Sequence, residues 1–191
     1  MKDEYSSRHT IPLPADTTVT HPAEPPELVH MDDPAASVFT DFTLERPITT
    51  SPDVRIDRAM QQMKNAGICV LLVMDEDQHL LGEITADDIM GDTPVRLAVS
   101  SGLDHREISV GMIMTPANRV RVLEIEHLRD ALVGHIVATL HAIESRHVLV
   151  VEKGSIRGLY RAAQISRQLG RNIMDDEAPA HSLAEMVHSL G

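Results

Sequence analysis

Tryptophan is absent from the 191 residues, and Tyr5, Phe39, Phe42 and Tyr160 are the entire aromatic inventory. Single-stranded nucleic acid is held on platforms of several exposed rings, so that class is excluded. Cys69 is the one cysteine, which rules out an internal disulfide and a cysteine-rich zinc site. The longest apolar run, Ile68 to Met74, has seven residues, against the ~20 needed to cross a bilayer. Lys2, Asp3, Glu4 and Arg8 open the chain with no apolar stretch behind them. No secretory leader is expected, and the cytoplasm is the expected compartment. Basic charge is short as well: 17 Lys and Arg face 29 Asp and Glu, a formal net charge of −12. Contacts to DNA, RNA and anionic lipid are made mainly by Lys and Arg, so neither a nucleic-acid nor a membrane partner is expected.

Catalytic signatures are also missing. There is no Gly-x-Ser-x-Gly elbow, no Gly-x-x-x-x-Gly-Lys phosphate loop and no Gly-x-Gly-x-x-Gly turn. Eleven histidines invite a metal, yet His135 and His141 lie six apart and His181 and His188 seven apart. Neither has the i, i+4 spacing of a helical metal pair. The expectation is a non-enzymatic protein with no metal site.

What the chain does contain is unevenly spread. Eight of eleven prolines lie in residues 1–52, and the first glycine is Gly67. Residues 1–52 carry three basic and nine acidic side chains, whereas residues 53–170 carry 13 and 16. The net charge is therefore mostly a property of the ends. Residues 1–43 read as a proline-rich acidic arm, partly disordered, that Val38, Phe39, Phe42 and Leu44 anchor to the globular part. Residues 171–191 read as a linker followed by a short amphipathic helix. Ser182 would cap that helix, and Leu183, Met186, Val187 and Leu190 would share one face.

Between these ends the chain repeats itself. Residues 56–75 lie over residues 133–152, so that Ile56, Ala59, Met60 and Met63 match Val133, Ile136, Val137 and Leu140. That is the i, i+3, i+4, i+7 spacing of one helix face. Each helix precedes a continuous apolar run, Val70 to Met74 or Val148 to Val151, which suits a buried strand. A polar turn, a short strand ending at Gly82 or Gly158 and a second helix starting near Asp87 or Ala162 complete each copy. One copy buries too little surface to stand alone, whereas two packed strand face to strand face share a core. The expected class is α+β (α/β): two β-α-β-β-α repeats related by a pseudo-two-fold axis, repeat 1 over 44–103 and repeat 2 over 104–170.

The passages Gly67-Ile68-Cys69-Val70-Leu71-Leu72-Val73-Met74-Asp75 and Gly82-Glu83-Ile84-Thr85-Ala86-Asp87-Asp88-Ile89 carry a family resemblance. The second fits a Gly-x-x-Thr-x-x-Asp signature, and Met112 to Pro116 resembles the entry to many second repeats. The chain thereby resembles a tandem pair of cystathionine β-synthase (CBS) domains, the Bateman module, over about residues 44–170. The resemblance implies binding of an adenine nucleotide or adenosyl ligand between the repeats, with AMP, ADP, ATP or S-adenosylmethionine as candidates and no required cofactor. It also implies a homodimer, or a separate regulated protein that reads the occupancy.

Thr85 and Asp88, three apart at a helix start, share one face. Asp88 would accept ribose hydroxyls, and Thr85 with the free N–H groups would receive a phosphate. The same pair can equally form a plain capping box with no ligand. Repeat 2 has Arg161 and Gln164 at these positions, so its cleft is expected to be degenerate. Arg161 either points a fixed charge at the central cavity or is a solvated arginine at a helix start. The resemblance further implies that Asp88 faces the strand opening at Ser145, with Arg146 and His147 as phosphate-binding candidates; the alternative is a polar strand entrance. Ile68, Cys69, Val70 and Ser145 are candidate cleft-lining residues, with Cys69 read as a small buried hydrophobe.

Overall fold

The computed structural model describes residues 28–174. Most of the expected arm, residues 1–27, and the C-terminal amphipathic stretch, within residues 175–191, lie outside them.

Among the described residues, eight strands and six α-helices follow in chain order. The first half runs β1 (Thr40–Asp41), β2 (Thr49–Thr50), α1 (Ile56–Ala66), β3 (Val70–Met74), β4 (Leu80–Thr85), α2 (Ala86–Met90), α3 (Asp92–Ser101) and α4 (Val110–Ile113). The second runs β5 (Thr115–Pro116), β6 (Val122–Glu124), α5 (Val133–Ala142), β7 (His147–Glu152), β8 (Ser155–Arg161) and α6 (Ala162–Leu169). The apolar periodicity of Ile56, Ala59 and Met63 buries one face of α1, and the left-handed Gly67 ends it. In α5 the matching residues Val133, Ile136, Val137 and Leu140 are buried. Among the described residues, no helix is long and apolar enough to cross a membrane.

The strands form two four-stranded sheets, ordered β2-β3-β4-β5 and β6-β7-β8-β1. In each, a short strand runs parallel to the strand that follows its helix, and the remaining pairings are antiparallel. Alternation divides the apolar runs between two cores. Leu71, Val73 and Ile84 face the helices of the first half, with Ile56, Ala59 and Met63. Val148, Val150 and Tyr160 face those of the second half, with Ile136 and Leu140. Leu72, Leu149 and Leu159 point the other way and close a third cluster, into which Phe42 packs. The repeats thus pack strand face to strand face, as the two-copy reading requires.

Boundaries fall differently from the sequence expectation. Each sheet is completed by the segment that precedes the other repeat: β1 pairs with β8, and β5 pairs with β4. Residues 28–43 are therefore part of the second half, with Val29, Ala35 and Val38 buried in its core. Ile108, Val110 and Ile113, assigned above to repeat 2, are buried in the core of the first half. Ile173, expected in a linker, is 1% exposed in the second core. In residues 28–43, proline and acid content hid the few buried apolar residues. The strands β4 and β8 also run past the glycines at which they were expected to end, to Thr85 and Arg161.

Those glycines mark where the edge strands cross. A Cβ on Gly82 would lie 2.1 Å from the Thr115 carbonyl oxygen, and one on Gly158 would lie 2.2 Å from that of Thr40. Only a residue without a side chain admits so close a backbone.

Candidate ligand-binding clefts

Both halves bring a strand end and a helix start toward the same region. On the first half, Thr85 closes β4 and caps α2. Its hydroxyl accepts from the Asp88 backbone N–H at 3.1 Å, while Asp88 Oδ2 accepts from the Thr85 N–H at 2.8 Å and hydroxyl at 2.7 Å. This is a complete capping box. On the second half, Arg161 occupies the equivalent place before α6, without a side-chain cap. Its Nη2 donates instead to Thr40 Oγ1 and Gln164 Oε1, each at 3.2 Å.

A cleft of about 600 Å³ opens between these helix starts. Thr85, Asp87, Met90, Ser145, Arg146 and His147 contribute to its walls, with Cys69 and the α6 residues Ala162, Ala163 and Ser166. Residue pairs matched by the repeat, Cys69 with Arg146 and Ala86 with Ala162, line it together, so the cleft straddles the pseudo-two-fold axis. Of the residues that the sequence set opposite one another, Thr85, Ser145, Arg146 and His147 line this cleft, and Cys69, expected only to line a cleft, is in it as well. Asp88 is half-buried behind Thr85 and is not among the lining residues.

The two basic residues at the strand entrance already have partners. Arg146 Nε lies 3.5 Å from Asp87 Oδ2, with both side chains 66% exposed, an arrangement worth about 0–1 kcal/mol. His147 points inward: its Nε2 is 2.9 Å from Glu83 Oε2, with the two side chains 6% and 12% exposed. Glu83 went unnoticed in the sequence because it reads as one polar residue within a strand. The repeat offset carried a signal, since it sets Glu83 over Leu159 and His147 over Val70, two apolar residues. Burial pushes the Cys69 thiol up, an effect that the Asp87 carboxylate reinforces and the Arg161 guanidinium opposes.

A second cleft of about 250 Å³ lies beside β3 and β8. Ile68, Val70, Leu72, Leu159, Phe42 and Arg161 line it, with Arg46 and Glu45 also contributing. Ile68 and Val70 therefore belong with Arg161 and not with Thr85. Gln164 holds Arg161 and accepts a 3.0 Å hydrogen bond from the Thr40 hydroxyl.

Outside both clefts, Asp75, Asp77 and His79 bring ligand atoms within 4.8 Å of one another in the β3–β4 turn. The Asp75 carboxyl is held below its usual range, chiefly by the His79 backbone N–H.

Two strand-face-packed repeats with clefts at their junction define a tandem two-repeat module by architecture. The model of the CBS domain matches residues 22–92, and the fold of the chain is that of tandem CBS-domain proteins. A CBS-domain containing protein from Agrobacterium tumefaciens superposes with a TM-score of 0.55 at 21% identity, over 72% of this chain and 94% of that one. CBSX2 in complex with AMP gives 0.50 at 17% identity, over 71% and 94%. The CBS domain pair of protein MJ0100, in complex with 5′-methylthioadenosine and S-adenosyl-L-methionine, gives 0.50 at 22% identity, over 71% and 94%. No curated protein matches the sequence.

Proposed function

We propose that this chain is a non-enzymatic regulatory module that binds an adenine nucleotide or another adenosyl ligand in the axial cleft and passes its occupancy to a partner. The observation that carries the reading is the cleft of about 600 Å³, whose walls come from the α2 start of one repeat and the β7 entrance of the other. A ligand there touches both halves at once, so its binding energy favours one relative arrangement of the repeats over others. The adenosyl compounds bound in the CBSX2 and MJ0100 structures supply the candidate chemistry.

In this reading the Asp88 carboxylate turns from Thr85 toward the ribose hydroxyls, and Thr85 faces the ligand from the wall. Arg146 meets a phosphate by exchanging its exposed contact with Asp87. His147, tied to Glu83, shapes the wall and leaves the phosphate to Arg146. The readout passes through a homodimer contact or a separate regulated protein. Exposed Val95 and Val99, one turn apart on α3, suit such a contact.

A second reading, a structural module with decayed clefts, is favoured by the capping box, which satisfies Thr85 and Asp88 without any ligand. Thermal unfolding with AMP, ADP, ATP and S-adenosylmethionine separates the two. The functional reading expects a raised melting temperature with at least one of them, because a ligand that binds only the folded state stabilises it. It also expects Asp88→Asn to abolish that shift while the variant still folds. A flat response to all four supports the structural module.

A further inference from the structure

One helix of the first half has an apolar side that the described residues leave open. Pro94, Leu97 and Ala98 turn α3 toward the first core. Val95 and Val99, one turn apart, stand on the outer side, 58% and 81% exposed. Met90, the last residue of α2, is also exposed and lies two residues before α3 begins. It contributes to the wall of the axial cleft, and so does Met174, the last described residue. Residues 175–191 therefore continue from the same cleft that α3 starts beside.

The sequence beyond Met174 has two parts. Asp175 to His181 holds the acids Asp175, Asp176 and Glu177 with Pro179, and seven residues span at most about 25 Å when extended. The ten residues of α3 measure only about 15 Å, so the segment that follows has the reach to lie along it. In that segment Leu183, Met186, Val187 and Leu190 have the spacing of one helix face, with Glu185 on the other side. Apolar stripes of this kind pack by interlocking their side chains. A short tether gives the segment an effective concentration on the order of millimolar. A stable dimer, by contrast, buries about 800 Å² on each partner, far more than three side chains supply. The patch suits a segment already attached to the chain better than a free second copy.

We propose that the C-terminal segment of this chain docks on α3 of the same chain, where Leu183, Met186, Val187 and Leu190 cover Val95 and Val99. The docking stands without the adenosyl reading; its regulatory meaning rests on that reading. The covered face is the one offered above to a partner, so a partner has to displace the tail to reach it. A ligand seated against Met90 and Met174 lies where the tail departs, which joins occupancy of the cleft to the release of that face.

The test uses the full chain with Cys69→Ala and Ser189→Cys, a nitroxide on the new thiol, and Ile, Leu and Val methyl groups labelled for NMR. The Val95 and Val99 methyls are expected to lose most of their intensity to the nitroxide, while those of Val38 and Val133 in the second core keep theirs. Adding Leu183→Asp and Val187→Asp breaks the apolar stripe but keeps the tether and the label. It is expected to restore the Val95 and Val99 signals and to leave Val38 and Val133 unmoved, which shows that the fold is kept. Mixing nitroxide chains that carry no isotope with isotope-labelled chains that carry no nitroxide separates contact within a chain from contact between chains. No loss is expected in the mixture. Full intensity at Val95 and Val99 in the nitroxide chain, or a loss that survives the two aspartates, would overturn the proposal. So would an equal loss in the mixture, which would give α3 to a second copy. Thermal unfolding with the adenosyl compounds is repeated on the Leu183→Asp, Val187→Asp chain. Their binding is expected to persist, so either proposal can fail without the other.

Discussion

Replacing Glu83 by Leu and His147 by Val together is expected to leave stability within about 1 kcal/mol of the parent chain, while either change alone is costly. The two side chains are almost fully buried and make a single 2.9 Å contact that bridges β4 of one repeat to β7 of the other. His147→Val strands the Glu83 carboxylate between the sheets, at a cost of about 3 kcal/mol. Glu83→Leu strands the imidazole, at a cost of about 2 kcal/mol. In the double variant no polar group is left over. The residues introduced are those that the repeat itself places at the equivalent positions, Leu159 for Glu83 and Val70 for His147, so each has a precedent in the other copy. Denaturant unfolding of the four chains measures the coupling. A double variant as unstable as the sum of the singles would show that the pair contributes more than mutual satisfaction.

The second large effect is expected from Gly158→Ala. The added methyl would stand 2.2 Å from the Thr40 carbonyl oxygen and 2.4 Å from the Phe39 ring. Both belong to the segment that brings β1 against β8, and the Phe39 ring packs on Tyr160 at a centroid distance of 5.1 Å. No small side-chain movement relieves a clash with backbone. The segment has to lift, partly uncovering Val38, at an expected cost of about 3 kcal/mol. Faster proteolysis within residues 28–43, together with a lower unfolding midpoint, is the expected signature. Gly82→Ala should act likewise through the Thr115 carbonyl. A Gly158→Ala chain as stable and as protease-resistant as its parent would contradict this account of the edge strands.

The repeated units were legible in the sequence because two signals coincided in each copy: the helix face led by Ile56 or Val133, and the apolar run into β3 or β7. Their edge strands were not legible. β1 and β5 are two residues each, too short to show alternation, and each pairs with the half more distant in sequence. At the site, Thr85 and Ser145 to His147 could be set opposite one another through the resemblance to known CBS pairs, whereas Cys69 could be read only as lining a cleft. What those side chains do there depends on distances that no spacing reveals. Asp87 engages Arg146, Glu83 engages His147, and Arg161 is left without an acid. The sequence marked the last as a defect, since Arg161 and Gln164 depart from the Thr-x-x-Asp pattern. In the structure the same departure sets an uncompensated cation against apolar walls.

Alkylation of Cys69 tests the central claim most directly, because the chain's only thiol lines the axial cleft. Burial raises its pKa, so the thiolate fraction near neutral pH is below that of a free cysteine and reaction with iodoacetamide should be slow. The rate should climb as the pH rises into and past the usual thiol range. At fixed pH, saturating AMP or 5′-methylthioadenosine is expected to slow the modification about tenfold or more by filling the cleft; this is the result if an adenosyl ligand sits between the repeats. An unchanged rate at concentrations that demonstrably saturate binding would place the ligand elsewhere and contradict the account.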